Sequence, residues 1–473
     1  MGQNDAVRCR AAGVGVACPE PARPTPRIGP SAKRHAGSPP ASVRPLSLRH
    51  NFSWTLAGNV VYAGSQWGVL VVLAKLGTPE TVGRFALGLA LTTPVFALTS
   101  LRLRAVQVVD AKHEYRFADY FRLRMITSVI AILCVVGILV VARYPRETTL
   151  TILAVAFGKA FAAVSDVFYG LIQKHERMDR VARGMTLQGI LSLVGLAAGV
   201  WLTGSVIWGA AGWAAGAGLA VVAYNVPAGI AVLRLAAPTR QPIPDEGPET
   251  TAHQGRGGAL VLWKLTRFAL PLGLVTALVS LNTNLPRYLV ERHLGESQLG
   301  IFVAIAYLMV AANLVRTALA RAASPRLARL HAEGQRQAFA ALLRRLVTIG
   351  TLAGVVGILV AVVAGRQILT LLYAPEYAQH MSVLIWLAVA AALSFVKSFL
   401  GAALTAAKRF KSELLVNLFA TAILAGGCAA MIPTYGLVGA ASVVTFTALL
   451  TLVLYALLVC HVCATIPARE IRS

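Results

Sequence analysis

Long apolar runs dominate the chain, and short polar stretches separate them. A run of about twenty apolar residues is long enough to cross the roughly 30 Å hydrocarbon core of a membrane as an α-helix. A membrane β-barrel would instead show segments of roughly ten residues with alternating polarity. The pattern therefore predicts an all-α integral membrane protein with about twelve transmembrane helices. The predicted spans are 53–77, 82–101, 123–142, 149–172, 185–205, 207–233, 266–290, 297–320, 345–365, 380–404, 413–433 and 436–461.

Composition and charge support this interpretation. Of the residues, 57% are hydrophobic and only 13% are charged, far fewer than in a soluble protein. The 44 Lys and Arg outnumber the 19 Asp and Glu, a balance also found in nucleic-acid binders. Most of these cations, however, fall in the tails and in every second loop, which is the positive-inside distribution. We therefore expect a multi-pass protein with both termini cytoplasmic and no nucleic-acid partner.

Two segments without long apolar runs divide the chain. Residues 1–48 are rich in Pro, Ala, Gly and Arg and predict a disordered basic tail. A native translation start at Val43 or Leu46 would leave most of this tail out. The stretch 236–263 is rich in Pro, Gly and polar residues and predicts a flexible cytoplasmic linker. The predicted domains are a first six-helix bundle at 49–235 and a second bundle with a short C-terminal tail at 264–473.

A short motif occurs once in each predicted half. LGTPETVGRF begins at Leu76 and LGESQLGIF at Leu294, and weaker echoes pair WGAAG with YGLVG and Asp166 with Lys397. Because each half has an even number of spans, both halves enter and leave on the same side, so the repeats are parallel. This predicts two bundles around a central cavity. We interpret the motif glycines as sharp turns between spans, without a chemical role.

Polar and charged residues inside the predicted spans are the candidate site residues. A charge at mid-bilayer costs roughly 2.5–3.5 kcal/mol on insertion scales, so it normally faces a cavity or a partner. Lys159 and Asp166 lie two turns apart on one helix face, about 10 Å along the axis, too far for a relaxed salt bridge. A basic cavity suits a phosphate or pyrophosphate head group. The predicted substrate cavity comprises Lys159, Arg287, Lys397, Asn59, Gln66 and Asn284, and its cytoplasmic mouth bears Arg104 and Arg316.

The same residues admit plainer structural roles. Arg287 can extend its charge to the membrane interface, and the Asn and Gln side chains can bridge neighbouring helices. No catalytic constellation and no cofactor site are predicted. Cys460 and Cys463 form a C-x-x-C pair, but a zinc site needs a second pair of ligands, so no metal is expected.

Several stretches of the second half carry a family resemblance. They are TNLPRYLVERHLGESQLGIFVAIAYLM, ASPRLARLHAEGQRQAFAALLRR, LLYAPEYAQH and IPTYGLVGAAS. With these stretches, and a diffuse likeness over about residues 50 to 460, the chain resembles polysaccharide biosynthesis proteins of the Wzx type. These are lipid-linked oligosaccharide flippases of the multidrug/oligosaccharidyl-lipid/polysaccharide exporter superfamily.

The resemblance implies both a fold and a function. The fold is two six-helix bundles around a cationic cavity. The substrate is an undecaprenyl pyrophosphate-linked oligosaccharide, moved among membrane lipids from the cytoplasmic to the outer leaflet of a bacterial inner membrane, for cell-surface polysaccharide. The resemblance further implies coupling to a proton or sodium gradient, for which Asp166 is the candidate site.

Two alternatives remain at the level of the sequence. A drug or cation antiporter of the same superfamily would favour acidic cavity residues, whereas the charges within these spans are mainly basic. A membrane polymerase, ligase or glycosyltransferase of the same pathway would need an active-site domain or a long outer loop, and the outer loops here are short. We therefore expect a transporter and not an enzyme. An ATP-driven exporter is disfavoured because the chain lacks a P-loop motif.

Overall fold

The computed structural model describes residues 47–110, 115–236, 258–309, 316, 319–320, 323, 326–407 and 409–465. Its helices are α1 Leu48–Leu76, α2 Pro79–Thr99, α3 Leu103–Val109, α4 Phe117–Ala142, α5 Arg146–Lys174, α6 Met178–Thr203, α7 Val206–Ala220, α8 Val226–Ala236, α9 Gly258–Tyr307, α10 Arg336–Leu372, α11 Met381–Ala406 and α12 Phe410–Thr465. A π-helical turn, Val221–Asn225, joins α7 to α8, and a 3-10 turn, Pro375–His380, precedes α11. Residues 1–46 of the predicted N-terminal tail and residues 237–257 of the predicted linker lie outside the described residues.

The described helices account for the predicted membrane crossings. Ten helical segments in these ranges are long and apolar enough to span a bilayer. Two of them lie in α9 and α12, which have 50 and 56 residues. A straight helix of that length would measure roughly 75 to 84 Å, more than twice the hydrocarbon thickness. Helix α12 therefore supplies two crossings, whereas the stretch of α9 from Glu296 to Tyr307 covers only about 18 Å and begins a second one. Within the described residues, these crossings agree with the predicted all-α membrane fold of about twelve spans.

Both long helices double back at one glycine. Gly295 in α9 and Gly436 in α12 have positive φ angles of 83° and 58°, which L side chains rarely adopt. In α9 the guanidinium of Arg287 lies 5.8 Å from the ring centre of Tyr307, although a straight helix would separate these residues by roughly 30 Å. The two glycines are therefore sharp reversals. The turn at Gly295 was predicted from the doubled Leu-Gly motif, whereas the turn at Gly436 was not.

Two other motif glycines have a different role. Gly83 lies inside α2 and Gly300 inside the second arm of α9. A Cβ added to Gly83 would lie 1.8 Å from the carbonyl oxygen of Glu296, and one added to Gly300 would lie 1.8 Å from that of Pro79. The expectation that all the motif glycines serve as turns is wrong here, because these two allow the motif copies to pack backbone against backbone.

This contact is reciprocal. Gly300 and Glu296 lie 217 positions after Gly83 and Pro79, respectively, so equivalent positions exchange partners across the interface. Such an exchange is what an approximate two-fold axis between two related segments produces. The doubled motif is therefore an interface between its own two copies.

Apolar side chains also cover the outside of the helices. Large side chains on α4 and α10, such as Leu133, Val141 and Val363, are exposed. Small residues instead lie where helices approach closely. Gly195 of α6 and Gly212 of α7 meet so tightly that a Cβ on either would lie about 2 Å from the other's carbonyl oxygen. Exposed apolar faces and small-residue helix contacts are typical of packing within a lipid bilayer.

Candidate substrate cavity and its closed end

A cavity of about 650 Å³ opens where α2 ends and α6 begins. Its wall includes Asn59 of α1, Arg102 and Arg104 around the start of α3, Asp166 of α5 and Thr276 of α9. The volume lies within the range of about 300–1,000 Å³ that ligand sites occupy. Under the predicted topology, this is the cytoplasmic end of the helices. Asn59 and Arg104 were both predicted as site residues, and the structure places them in one wall.

The backbone after α2 directs Arg104 towards Asp166. Leu101 and Arg102 have left-handed φ angles of 49° and 47°, and they break the helix before α3 begins. Helix α3 then lies against α5 at Gly170, where an added Cβ would be 2.3 Å from the side-chain amide of Gln107. Gly170 follows Asp166 by one helical turn. Because Gly170 has no side chain, α3 packs close to α5, near the carboxylate of Asp166.

The carboxylate of Asp166 lies between two guanidinium groups. Nη1 of Arg104 is 3.3 Å from its Oδ1, and Nη2 of Arg124 is 3.6 Å from its Oδ2. Arg104 is also held by Gln173, whose Oε1 accepts from its Nε over 3.0 Å, and by the ring of Tyr169 beneath it at 5.6 Å. The partners of Asp166 in the ion pairs are thus arginines from two other helices, and Lys159 lies farther along α5.

Arg124 was not predicted as a site residue. Its side chain on α4 is only 2% exposed, and its Nε and Nη2 have no hydrogen-bond partner. In the sequence it stands at the start of predicted span 123–142, where a cation normally sets membrane topology. Only the packing of α4 against α5 shows that this guanidinium points inwards.

A second cavity of about 280 Å³ adjoins the first at Asp166. Its wall includes Thr93 and Phe96 of α2, Arg124 of α4, and Lys159 and Asp166 of α5. Arg104 and Arg124 flank the carboxylate of Asp166, and Lys159 lies in the wall of the same small cavity. These three cations and one carboxylate carry a net charge of two positive units. Such a site is suited to a multiply charged anion.

Other predicted residues occupy different surroundings. Asn284 is buried in α9, donates to the carbonyl of Ser280 over 2.8 Å and accepts from Nη1 of Arg287 over 2.9 Å. Gln66 is half-buried on α1. Arg316 is half-buried between stretches that lie outside the described residues. The structure therefore places Asn59, Arg104, Lys159 and Asp166 in the walls of two adjoining cavities. Arg287 pairs with Asn284, and its charge also lies close enough to Lys159 to interact with it.

Lys397 belongs to a cluster in the second half. Its ammonium nitrogen lies 5.9 Å from the ring centre of Tyr455. The hydroxyl of Tyr455 donates to Glu413 over 3.3 Å and accepts from the amide of Asn417 over 2.9 Å. Gly401 lies one turn after Lys397, and a Cβ added to it would lie 3.4 Å from the ring of Tyr455. Both echoes thus place a charge one turn before a glycine at a helix contact, which is tight at Gly170 and of ordinary van der Waals distance at Gly401.

The end of α2 opposite the larger cavity is closed by ion pairs. Nε of Arg84 donates to Oε2 of Glu296 over 2.8 Å. Its Nη2 donates to Glu80 over 2.6 Å, and its Nη1 donates to Glu147. Thr148 donates to the other oxygen of Glu296 over 2.5 Å. We call Arg84, Glu80, Glu147, Glu296 and the adjoining Gly83–Gly300 contact the seal.

The seal continues at the loop before α5. The hydroxyl of Tyr144 donates to Glu291 over 3.4 Å, and burial together with the carboxylate of Glu291 raises the pKa of Tyr144 to about 12. This hydrogen bond joins the loop before α5 to α9. Elsewhere, the part of the chain that the structure describes contains no group of three His, Cys, Asp or Glu side chains placed to hold a metal ion.

Comparison with solved structures shows which fold the chain has. The fold is similar to that of the lipid II flippase MurJ in an inward closed conformation, with a TM-score of 0.62 and 12% identity over 86% of this chain and 87% of MurJ. It is also similar to an inward-facing multidrug resistance MATE family transporter of the MOP superfamily, with a TM-score of 0.59 and 16% identity over 88% and 96% of the two chains. The likeness shows that the chain has the fold of these transporters.

The sequence relationship is more specific. Residues 48–331 match the family described as polysaccharide biosynthesis protein, and the chain belongs to that family. It is 27% identical over 409 residues to the capsular polysaccharide biosynthesis protein CapF of Staphylococcus aureus, which covers 86% of this chain and 97% of CapF. These findings confirm the resemblance that the sequence stretches indicated.

Proposed function

We propose that this protein is a transporter that flips a polyprenyl pyrophosphate-linked oligosaccharide from the cytoplasmic to the outer leaflet of a bacterial inner membrane. The observation that carries the proposal is the set of three cations, Arg104, Arg124 and Lys159, in the walls of the two cavities that meet at Asp166, within a fold shared with MurJ. A pyrophosphate group supplies negative charge that balances these cations. Membership of a polysaccharide biosynthesis family supports a sugar-carrying substrate.

Each part of the substrate has a matching environment. The pyrophosphate contacts the cations at the junction of the two cavities. The larger cavity receives the sugars, since it offers hydroxyl and amide groups such as those of Thr55, Asn59 and Ser100. The polyprenyl chain stays among membrane lipids, whose hydrocarbon it matches.

Alternating access follows from the two ends of the molecule. The cavity opens at the end that we place in the cytoplasm, and the seal closes the end that we place outside. In our proposal, opening of the seal and closure of the mouth around Arg104 and Arg316 expose the head group to the outer leaflet. A proton or sodium gradient supplies the energy, with Asp166 as the candidate coupling site.

The test is a flipping assay with purified protein in liposomes. A fluorescent undecaprenyl pyrophosphate-linked oligosaccharide is followed with a membrane-impermeant quencher, with and without a proton or sodium gradient. We expect flipping by the wild type, and roughly a tenfold or greater loss in the variant R104Q/K159Q, which removes two charge-assisted contacts. Arg329→Gln removes an exposed cation and is the control.

Two results would overturn the proposal. One is the absence of protein-dependent flipping under either gradient from a folded sample. The other is efficient transport of a cationic dye by a protein that leaves the anionic lipid unmoved, which would favour the antiporter of the same superfamily.

A further inference from the structure

The buried guanidinium of Arg124 lacks adequate partners. Its nearest described anion, Asp166, is 3.6 Å away, beyond hydrogen-bond distance, and its Nε and Nη2 have no hydrogen-bond partner. A guanidinium normally binds a carboxylate or phosphate in bidentate fashion over about 2.7–2.9 Å. A buried guanidinium with unused donors indicates a site for an anionic ligand, and the carboxylate of Asp166 fills that site only in part.

Asp166 is stretched between two cations. One of its oxygens faces Arg104 at 3.3 Å and the other faces Arg124 at 3.6 Å, so neither guanidinium receives a bidentate contact. The side chain also lies at the junction of the two cavities and is 35% exposed there. A mobile ligand entering from the larger cavity therefore reaches the carboxylate before it reaches Arg124.

We infer that Asp166 is an internal counter-anion, which occupies the anion position between Arg104 and Arg124 until a phosphate group of the substrate displaces it. This inference rests on the proposed function and adds a competition at the same site. The two phosphates of a doubly esterified pyrophosphate carry two non-bridging oxygens each, so together they offer four acceptors to the guanidiniums, whereas the carboxylate offers one oxygen to each. The displaced carboxylate turns to the larger cavity, which it already lines.

The competition serves a transport cycle in two ways. In the empty protein it prevents the buried guanidinium of Arg124 and the half-buried guanidinium of Arg104 from facing each other without an anion. In the loaded protein it keeps the affinity for the anion moderate, because displacement of Asp166 opposes binding. Transport requires binding that is strong enough for entry and weak enough for release.

The inference predicts changes of opposite sign at one position. Asp166→Asn removes the competing charge at nearly constant volume, so we expect it to bind inorganic pyrophosphate about tenfold more tightly than the wild type. Asp166→Glu lengthens the carboxylate, closes the gaps of 3.3 and 3.6 Å and should bind pyrophosphate more weakly. The gain should disappear in D166N/R124Q, because the freed guanidinium is then missing.

The measurement is isothermal titration of the purified full-length protein with inorganic pyrophosphate, with melting temperature and elution volume as checks of folding. Glu333→Gln makes the same change in formal charge at an exposed pair with Arg329 and is the matched control. A purely structural ion pair predicts that both substitutions at Asp166 weaken binding or folding. A role limited to ion coupling predicts unchanged pyrophosphate affinity. Either result overturns the inference. If D166N does not fold, the test rests on D166E, and pyrophosphate binding by D166E that is as tight as or tighter than that of the wild type also overturns the inference.

Failure of the inference and failure of the proposed function give different results. Flipping by the wild type, with no gain in affinity for D166N, leaves the flippase and removes the counter-anion. A wild type that neither flips the lipid nor binds pyrophosphate removes both.

Discussion

Lys159 and Lys397 are both lysines within predicted spans, yet they differ in what surrounds them. Lys159 shares a cavity wall with Arg124 and Asp166. Lys397 lies over an aromatic ring that is hydrogen-bonded to Glu413. The two side chains therefore make different contributions to an anion site, and substitution separates them.

We expect Lys159→Gln to lower pyrophosphate affinity about tenfold or more, because one cation of the site is lost. Lys159→Arg keeps the charge and should retain most of the affinity. Titration calorimetry checks both, and Lys75→Gln, an exposed lysine at the end of α1, is the control. Equal affinity in K159Q and the wild type would exclude Lys159 from the site.

Lys397→Ala should reduce flipping in liposomes while the protein still folds and binds pyrophosphate. The physical reason is that its ammonium is engaged with Tyr455 in the second half, away from the Asp166 cluster. Wild-type flipping by this variant would remove Lys397 from the mechanism. Loss of pyrophosphate binding would instead assign it to the anion site.

The residue scale also shows what the sequence predicts. Lys159 and Asp166 stand out because charges are rare in the middle of an apolar run, and the structure places both in one cavity wall. Arg124 does not stand out, since an arginine at a span end is ordinary. Its role depends on how α4 packs against α5, which no local pattern encodes.

At the scale of helices, Gly170 decides how closely α3 approaches α5. A larger side chain there meets the side chain of Gln107 and displaces the segment that carries Arg104. We expect Gly170→Val to destabilise the protein by roughly 1–3 kcal/mol and to weaken pyrophosphate binding. Thermal unfolding and calorimetry check the two effects.

Gly137→Val on α4 is the matched control, because no atom lies within 4 Å of its added Cβ. It should leave pyrophosphate binding unchanged. A G170V protein that binds as the wild type does would show that the approach of α3 does not position Arg104.

The motif contact is the second prediction at this scale. Gly83→Ala places a Cβ 1.8 Å from a backbone oxygen of Glu296, so the two motif copies must separate. We expect the seal to open, seen as faster labelling of a cysteine at Thr148 by a membrane-impermeant maleimide. Gly426→Ala in α12, which faces open space, is the control. Unchanged labelling would mean that the contact is not part of a gate.

The helices themselves were largely predictable, whereas their contacts were not. Apolar runs long enough to span a bilayer predicted the elements, and the repeated Leu-Gly predicted the reversal at Gly295. The motif's other glycines were misassigned, because a glycine that permits a turn and one that permits a close approach look the same in sequence. The reciprocal packing of Gly83 and Gly300 requires the three-dimensional arrangement.

At the scale of the whole molecule, the seal and the cation cluster lie at opposite ends of α2. The seal joins α2, α5 and α9 through Arg84, a single cation among three carboxylates. The cluster joins α3, α4 and α5 through Asp166. Helix α5 contributes Glu147 to the seal and Asp166 to the cluster. A tilt of α5 therefore changes both the contacts of the seal and the geometry of the anion site.

Exchanging the charges of Arg84 and Glu296 tests whether the seal and the anion site are linked. Arg84→Glu leaves four carboxylates together, and their repulsion should open the seal and reduce flipping about tenfold, which corresponds to a shift of roughly 1.4 kcal/mol between the two states. R84E/E296R restores one cation among three carboxylates and should recover part of the activity. Maleimide labelling at Thr148→Cys and the flipping assay measure the two effects together. If the double variant labels like the wild type but flips no better than R84E, the seal closes the molecule without controlling the anion site. If both variants flip at the wild-type rate, the ion pairs of Arg84 have no part in the cycle.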